Sequence, residues 1–225
     1  MSAQLLALCC LLNLVVSSDP TGPSTSAGPE LVVYLKSDQA QPSRTVEHMK
    51  VELTALMRSA GYRVDWRDPQ AEGRTVDNAG LVVAELRGVC GIPQGSVASD
   101  AAADRGGSLA STYVSGDRVL PFSWLNCGSL TRLLGASLSS EAPAQRDFLY
   151  GRAMARLLAH ELYHVIANTR EHGREGIGKP AFTVKNLLSE RFEFETESMA
   201  KLAGQRAPSV PSAGGESAAD APSGR

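Results

Sequence analysis

The sequence predicts an α+β fold, a single domain in which a mixed sheet of about five strands packs against a backing helix and a second, longer helix. Two patterns predict this. Short segments rich in β-branched residues alternate with turn residues, and longer segments repeat apolar residues at helical spacing. The composition, 43% hydrophobic and 20% charged over 225 residues, is typical of a globular protein.

Five segments are predicted to be strands. The first is a continuous apolar run, typical of a strand buried on both faces. The last two flank Ser115, Gly116 and Asp117, which favour a hairpin turn. Pro121 cannot donate a ladder hydrogen bond, so we expect the fifth strand at the sheet edge. The strands are predicted at residues 31–35, 62–66, 81–86, 109–114 and 118–124.

Three segments are predicted to be helices, at residues 43–60, 143–168 and 182–202. The second is the longest. It has Pro143 in its first turn, where a missing N–H costs nothing, and Asn168 at its end, where a left-handed residue is favoured. The polar stretches between the predicted elements, residues 68–80 and 91–107, are predicted to be loops.

The two ends of the chain are predicted to lie outside the folded domain, which spans residues 30–203. Residues 1–18 are interpreted as a signal peptide, because their apolar run is too short to span a bilayer and ends in small residues, although no Lys or Arg precedes it. Residues 19–29 are typical of a flexible leader and residues 204–225 of a disordered tail. We therefore expect an exported protein, secreted or periplasmic, with no stable membrane span.

Four cysteines are present, and two of them, Cys9 and Cys10, fall in the predicted signal. Leu8 precedes the first of these, which is not the small residue typical of a lipid-anchored cysteine, so no lipid anchor is expected. The remaining pair, Cys90 and Cys127, is expected to form a disulfide in an oxidising compartment. The alternative is two buried free thiols.

The charge pattern excludes some classes of partner. The formal net charge is −2 and no basic block occurs, so neither nucleic acid nor an anionic membrane surface is an expected partner. The G-x-S-x-G, G-x-G-x-x-G and Walker patterns are also absent from the sequence.

One motif on the longest predicted helix indicates chemistry. His160 and His164 are four residues apart, so both imidazoles project from the same helical face. Two converging neutral imidazoles supply two ligands of a zinc site, and Glu161 is placed to face a water on the ion rather than the ion itself. This H-E-x-x-H arrangement is typical of zinc hydrolases. Two solvent-exposed histidines flanking a helical Glu are the alternative.

A catalytic zinc site needs a third protein ligand. We expect His172, since a turn at Asn168 would bring the following chain back over the ion. A carboxylate from the last predicted helix is the competing solution, and the candidates are Glu190, Glu193, Glu195 and Glu197. The remaining histidine, His48, has no partner motif and is expected at the surface.

With its H-E-x-x-H and nearby third histidine, the chain resembles the metzincin clan of zinc peptidases. It is also similar to uncharacterised secreted bacterial proteins that carry H-E-L-x-H and a nearby His-Gly step. The longer metzincin motif has Gly and His where this chain has Ala167 and Arg170, and His172 comes two residues later. The resemblance implies a zincin-like catalytic domain over residues 30–203.

The resemblance also implies a function. It predicts a zinc-dependent peptidase with one Zn²⁺, a peptide or protein substrate, and Glu161 as the general base for a zinc-activated water. The strand at residues 118–124 is expected to bind an extended peptide along its edge. Two alternatives are an exported zinc protein with a structural or inactive site, and a non-enzymatic binding module that displays the hairpin edge.

Overall fold

The computed structural model describes residues 28–68, 80–93 and 107–205. The predicted signal peptide lies outside these residues, as do most of the predicted leader, the two predicted loops and the tail. The elements are β1 (Glu30–Ser37), α1 (Ser43–Ser59), β2 (Arg63–Arg67), β3 (Gly80–Arg87), β4 (Ala110–Ser115), β5 (Arg118–Asn126), α2 (Cys127–Leu138), α3 (Pro143–Ala167), α4 (Val184–Leu188) and α5 (Thr196–Ala203). All five predicted strands are present.

The strands form one mixed five-stranded sheet in the order β2-β1-β3-β5-β4. β1 pairs in parallel with β2 and β3, and β3 pairs in parallel with β5. Among the strands of the described ranges, β4 alone runs antiparallel, against β5 in the predicted hairpin. The α+β class and the mixed sheet are therefore confirmed.

The expectation that the fifth strand lies at the sheet edge is wrong. β5 lies between β3 and β4, and the edge strand of the hairpin is β4. The sheet tolerates Pro121 because of where it falls in the strand. Pairing with β3 begins only at Phe122, and the register with β4 shifts between Thr112 and Val114, opposite this part of β5. At such an irregularity a ladder N–H is dispensable.

The two long helices pack against each other, and α3 also contacts β3, β4 and β5. Their close approach depends on Gly151 of α3, where an added Cβ would lie 2.6 Å from the Thr45 carbonyl oxygen and 2.7 Å from the His48 Cβ. The apolar residues of both helices and of the sheet form one buried cluster. As a result α3, which carries the histidine motif, is fixed on several sides.

Two helical features differ from the prediction. α2 was not predicted, and its sequence contains Gly128 and Gly135, which disfavour a helix interior. In the fold Asn126 caps its start by accepting a hydrogen bond from the Ser129 N–H, and leucines four residues apart face the core. The single helix predicted at 182–202 is wrong, since Ser189 is extended and the chain forms α4 and α5 instead.

The predicted cysteine pair is bonded in the structure. Cys90 and Cys127 lie with their Cα atoms 4.7 Å apart, and both side chains are fully buried. The bond joins the segment after β3 to the first turn of α2. A disulfide is consistent with an extracellular location.

Across residues 28–68, 80–93 and 107–205, none of the helices combines the length and the apolar character that a transmembrane span requires.

Candidate metal centre

The histidine motif occupies the last two turns of α3, and both of its histidines are buried. His160 is 6% exposed and His164 is 8% exposed. The helical spacing brings their Nε2 atoms to 3.0 Å from each other. The two imidazoles therefore converge on one point, as the spacing predicts.

Each of these rings is held by a backbone carbonyl at its other nitrogen. Nδ1 of His160 donates to the Ile177 carbonyl and Nδ1 of His164 donates to the Thr169 carbonyl, both at 2.7 Å. A carbonyl oxygen only accepts, so the hydrogen of each neutral ring lies on Nδ1 and the Nε2 lone pair is free. Outer hydrogen bonds of this kind orient metal-binding histidines.

Two Nε2 lone pairs that face each other at 3.0 Å repel unless a cation lies near both. A proton on one ring would supply it, but burial lowers the pKa of both rings, that of His160 to about 4. Burial therefore disfavours the protonated form of both imidazoles, and the pair could instead hold a metal ion.

His172 lies beside this pair because the chain reverses at the end of α3. Asn168 is the left-handed residue at the turn (φ 44°, ψ 48°), and its Oδ1 accepts a hydrogen bond from the Val119 N–H at 3.1 Å. The His172 ring centroid then lies 5.2 Å from that of His160 and 4.8 Å from that of His164.

The three histidines could hold one metal ion. Their ligand atoms all lie within 4.8 Å of one another. Nitrogens around a tetrahedral zinc are about 3.3 Å apart, so coordination requires the His172 ring to approach by up to about 1.5 Å. His172 is exposed, and rotation of its side chain can supply this movement.

The competing carboxylates do not join this group within the described residues. Of the four, Glu195 has a clear structural role. Its Oε1 accepts hydrogen bonds from the N–H and the hydroxyl of Ser198 at the start of α5, and the carboxylate packs against the glycines of segment 172–178. Glu197 instead forms an ion pair with Lys201 at 3.2 Å.

Segment 172–178 is built around glycines. Gly176 has φ 60°, and an added Cβ would collide with the Glu193 carbonyl oxygen and lie 2.9 Å from the Glu195 nitrogen. The Gly173 N–H donates to the Gly178 carbonyl at 2.8 Å, which closes the segment on itself. This compact fold directs the Ile177 carbonyl at His160.

Glu161 lies next to the histidines and is 6% exposed. Its Oε2 accepts a hydrogen bond from the Thr112 hydroxyl at 2.7 Å. Burial raises the pKa of the Glu161 carboxyl to about 7, although the Thr112 hydrogen bond acts in the opposite direction. The group can therefore both take up and release a proton near neutral pH.

These side chains open into a cleft of about 310 Å³ between α3, segment 169–172 and the edge strand β4. Among the described residues that line the cleft, Arg170 supplies a positively charged side chain and Glu161 supplies a carboxylate. Tyr150 and Tyr163, which precede and overlap the motif, do not line the cleft. The Tyr150 hydroxyl forms a hydrogen bond of 2.9 Å with the Thr131 hydroxyl. The Tyr163 hydroxyl is buried.

Three partners of the motif were not predicted from the sequence. The backbone carbonyls of Thr169 and Ile177 cannot be predicted from residue type, because any residue could supply them. Thr112 lies 49 residues before Glu161, and the packing of β4 against α3 brings it to the site.

Comparison with protein-family models and with curated proteins finds no match to this chain. The case for a function therefore depends on the residues and geometry of the site.

Proposed function

We propose that the protein is a zinc-dependent hydrolase, a peptidase that resembles the metzincins. One observation carries the proposal: two buried imidazoles converge with their Nε2 atoms 3.0 Å apart, beside the Glu161 carboxylate in an open cleft. His172 completes a set of three histidines.

The donor set favours zinc. Imidazole nitrogen suits zinc, copper, iron and nickel, whereas calcium and magnesium prefer oxygen. Three protein ligands with one open position are typical of catalytic zinc, and four protein ligands of structural zinc. A zinc ion held there would lower the pKa of a water molecule to about 7 and polarise a substrate carbonyl.

Glu161 is the general base in this proposal. Its Oε1 takes a proton from the attacking water and later delivers it to the nitrogen of the leaving amine. Burial raises the pKa of this carboxyl, and a bound cation would lower it again, which leaves an ionised group able to accept a proton at neutral pH. The edge strand β4, which lines the cleft, would hold an extended peptide by backbone hydrogen bonds.

The first test is metal content by elemental analysis. We expect about one zinc per chain, and loss of zinc in His160→Ala, His164→Ala and His172→Ala. His48→Ala is the matched control, because His48 lies on α1 against Phe148. Zinc retained in His172→Ala would refute His172 as a ligand, and protein that binds no metal would favour the binding-module alternative.

The second test is digestion of a peptide library by the zinc-loaded protein, followed by mass spectrometry. We expect cleavage products with the wild type and none with Glu161→Gln, which should keep its zinc because Glu161 is not a ligand. Zinc-loaded wild type that cleaves nothing would leave the alternative of a structural or inactive site.

We also propose that the protein acts outside the cytoplasm. The Cys90–Cys127 disulfide and the apolar run in residues 5–16 support this. Export from a bacterial host followed by N-terminal sequencing should give a mature chain beginning near Asp19. A chain that stays in the cytoplasm with an intact start would contradict the proposal.

A further inference from the structure

We infer that Thr112 is a positioning residue for Glu161, and that Ser123 in turn fixes the Thr112 hydroxyl. The inference deepens the proposed function and rests on it, since Glu161 is the general base only if the site hydrolyses a substrate. Neither hydroxyl belongs to the H-E-x-x-H motif or to the candidate metal ligands.

The three side chains form a chain of short contacts. Thr112 Oγ1 lies 2.7 Å from Glu161 Oε2 and 2.9 Å from Ser123 Oγ. It also lies 3.3 Å from the Glu161 backbone carbonyl oxygen. Thr112 and Ser123 face each other as a cross-strand pair of β4 and β5, so the sheet itself sets their spacing.

The direction of the hydrogen bonds follows from the donors available. When Glu161 is ionised, its carboxylate oxygens only accept, so the single hydroxyl hydrogen of Thr112 is then directed at Glu161 Oε2. The Ser123 hydroxyl must then donate to Thr112 Oγ1. Ser123 is only 2% exposed, so water does not compete for this bond.

This arrangement assigns different tasks to the two carboxylate oxygens. Oε2 accepts the Thr112 hydrogen bond, which favours one orientation of the carboxylate about its last torsion. Oε1 accepts no hydrogen bond within the described residues and is not one of their buried unpaired atoms. It is therefore the oxygen left free toward the cleft, where the proton transfer takes place.

The contact is tested first without any activity measurement. Thr112→Val and Glu161→Met, singly and together, are unfolded with denaturant as metal-free protein. We expect non-additive shifts of the midpoint, because the two changes remove the same hydrogen bond. The control pair, Thr131→Val with Glu161→Met, removes a hydroxyl bonded to the Gly91 carbonyl and should be additive. Equal additivity in both pairs would refute the contact.

The second test uses zinc-loaded protein and a peptide that the wild type cleaves. Thr112→Val should lower kcat by about 10- to 100-fold with zinc content and KM unchanged, because the base loses its orientation and the hydrogen bond that favours its ionised form. Thr112→Ser keeps the hydroxyl and should recover most of kcat, and Ser123→Ala should lower kcat less than Thr112→Val does. Thr131→Val should have the wild-type kcat.

The outcomes separate the two proposals. Wild-type kcat in Thr112→Val, or no recovery in Thr112→Ser, would overturn the positioning role while leaving the hydrolase intact. Wild-type protein that holds zinc but cleaves no peptide would overturn the proposed hydrolase function. The proposed role of Thr112 in catalysis would fail with it, even if the unfolding experiment showed coupling between Thr112 and Glu161.

Discussion

The Asn168 side chain joins the end of the motif helix to the sheet, since its Oδ1 accepts a hydrogen bond from the Val119 N–H at 3.1 Å. The same residue adopts the left-handed conformation that ends α3. The next carbonyl, that of Thr169, then faces His164. One residue thus ends α3 and links it to β5.

Asn168→Ala and Asn168→Gly should separate these two roles. The Ala variant loses the hydrogen bond and strains the backbone at φ 44°, so we expect a loss of about 2 kcal/mol in the free energy of unfolding. The Gly variant loses only the hydrogen bond and should be destabilised by about 1 kcal/mol. Denaturant unfolding measures both, and equal losses would show that the turn is not strained by Ala.

Gly176→Ala should weaken metal binding without touching a ligand. The added Cβ collides with the backbone of Glu193 and displaces segment 172–178, which carries the Ile177 carbonyl that orients His160. Loss of such an outer partner typically lowers metal affinity by about 10- to 100-fold. Competition with a zinc chelator measures this affinity.

Gly116→Ala is the matched control for Gly176→Ala. Gly116 also has positive φ, at 58°, but nothing lies within 4 Å of an added Cβ in the hairpin turn. It should lose stability from backbone strain alone and keep the wild-type affinity for zinc. Similar affinities in the two variants would mean that segment 172–178 does not orient His160.

Glu161→Gln should stabilise the metal-free protein at alkaline pH. Burial raises the pKa of this carboxyl from 4.5 to about 7, so the folded state holds the proton more tightly than the unfolded state does. Stability of the wild type therefore falls as pH rises through this window, by an amount on the order of 3 kcal/mol. The neutral Gln avoids that loss.

Unfolding in chelator at pH 5 and pH 8 checks this expectation. The Gln variant should gain stability over the wild type at pH 8 and gain little at pH 5, where the wild-type carboxyl is protonated. Glu47→Gln, on the exposed side of α1, is the control for removing one negative charge. The same gain at both pH values would contradict a buried, ionisable Glu161.

His160 gives the opposite pH dependence in the metal-free protein. Its pKa is lowered from 6.5 to about 4, so the unfolded state binds its proton first as pH falls. Stability should therefore fall from about pH 6.5 down to about pH 4, on the order of 3 kcal/mol for this residue. His160→Asn should remove most of this acid sensitivity, and an unchanged acid profile would count against a neutral buried ring.

Removing the disulfide should lower stability by about 4 kcal/mol, since the bond closes a loop with a sequence separation of 37 residues. Cys90→Ala with Cys127→Ala gives this loss by denaturant unfolding. Dithiothreitol should destabilise the wild type and leave the double variant unchanged. Destabilisation of both proteins by the reductant would point to an effect other than this bond.

Local sequence patterns predict much of the fold. The order of the strands in the sheet depends on long-range strand pairing, which local patterns do not encode. β1 and β3 are apolar runs and α3 has clear start and end residues, so each is readable from its own sequence. The position of β5 cannot be read in this way. Pro121 argues against a central strand, but that argument fails where the strand is irregular and a backbone N–H need not pair.

The same distinction holds for the site. The placement of His160, Glu161 and His164 follows from helical spacing alone, and that of His172 from the turn expected at Asn168. Thr112 and the carbonyl of Ile177 reach the site through long-range packing, and no local pattern encodes them.

Ile177 contacts the apolar core through its side chain and the histidine site through its backbone carbonyl. Its side chain is fully buried in the apolar core, while its carbonyl accepts the hydrogen bond from His160. An ion on the histidines would therefore tighten the same residue that anchors segment 172–178 to the hydrophobic interior. Without the ion, segment 172–178 would open more readily, and an added protease would cut the chain faster.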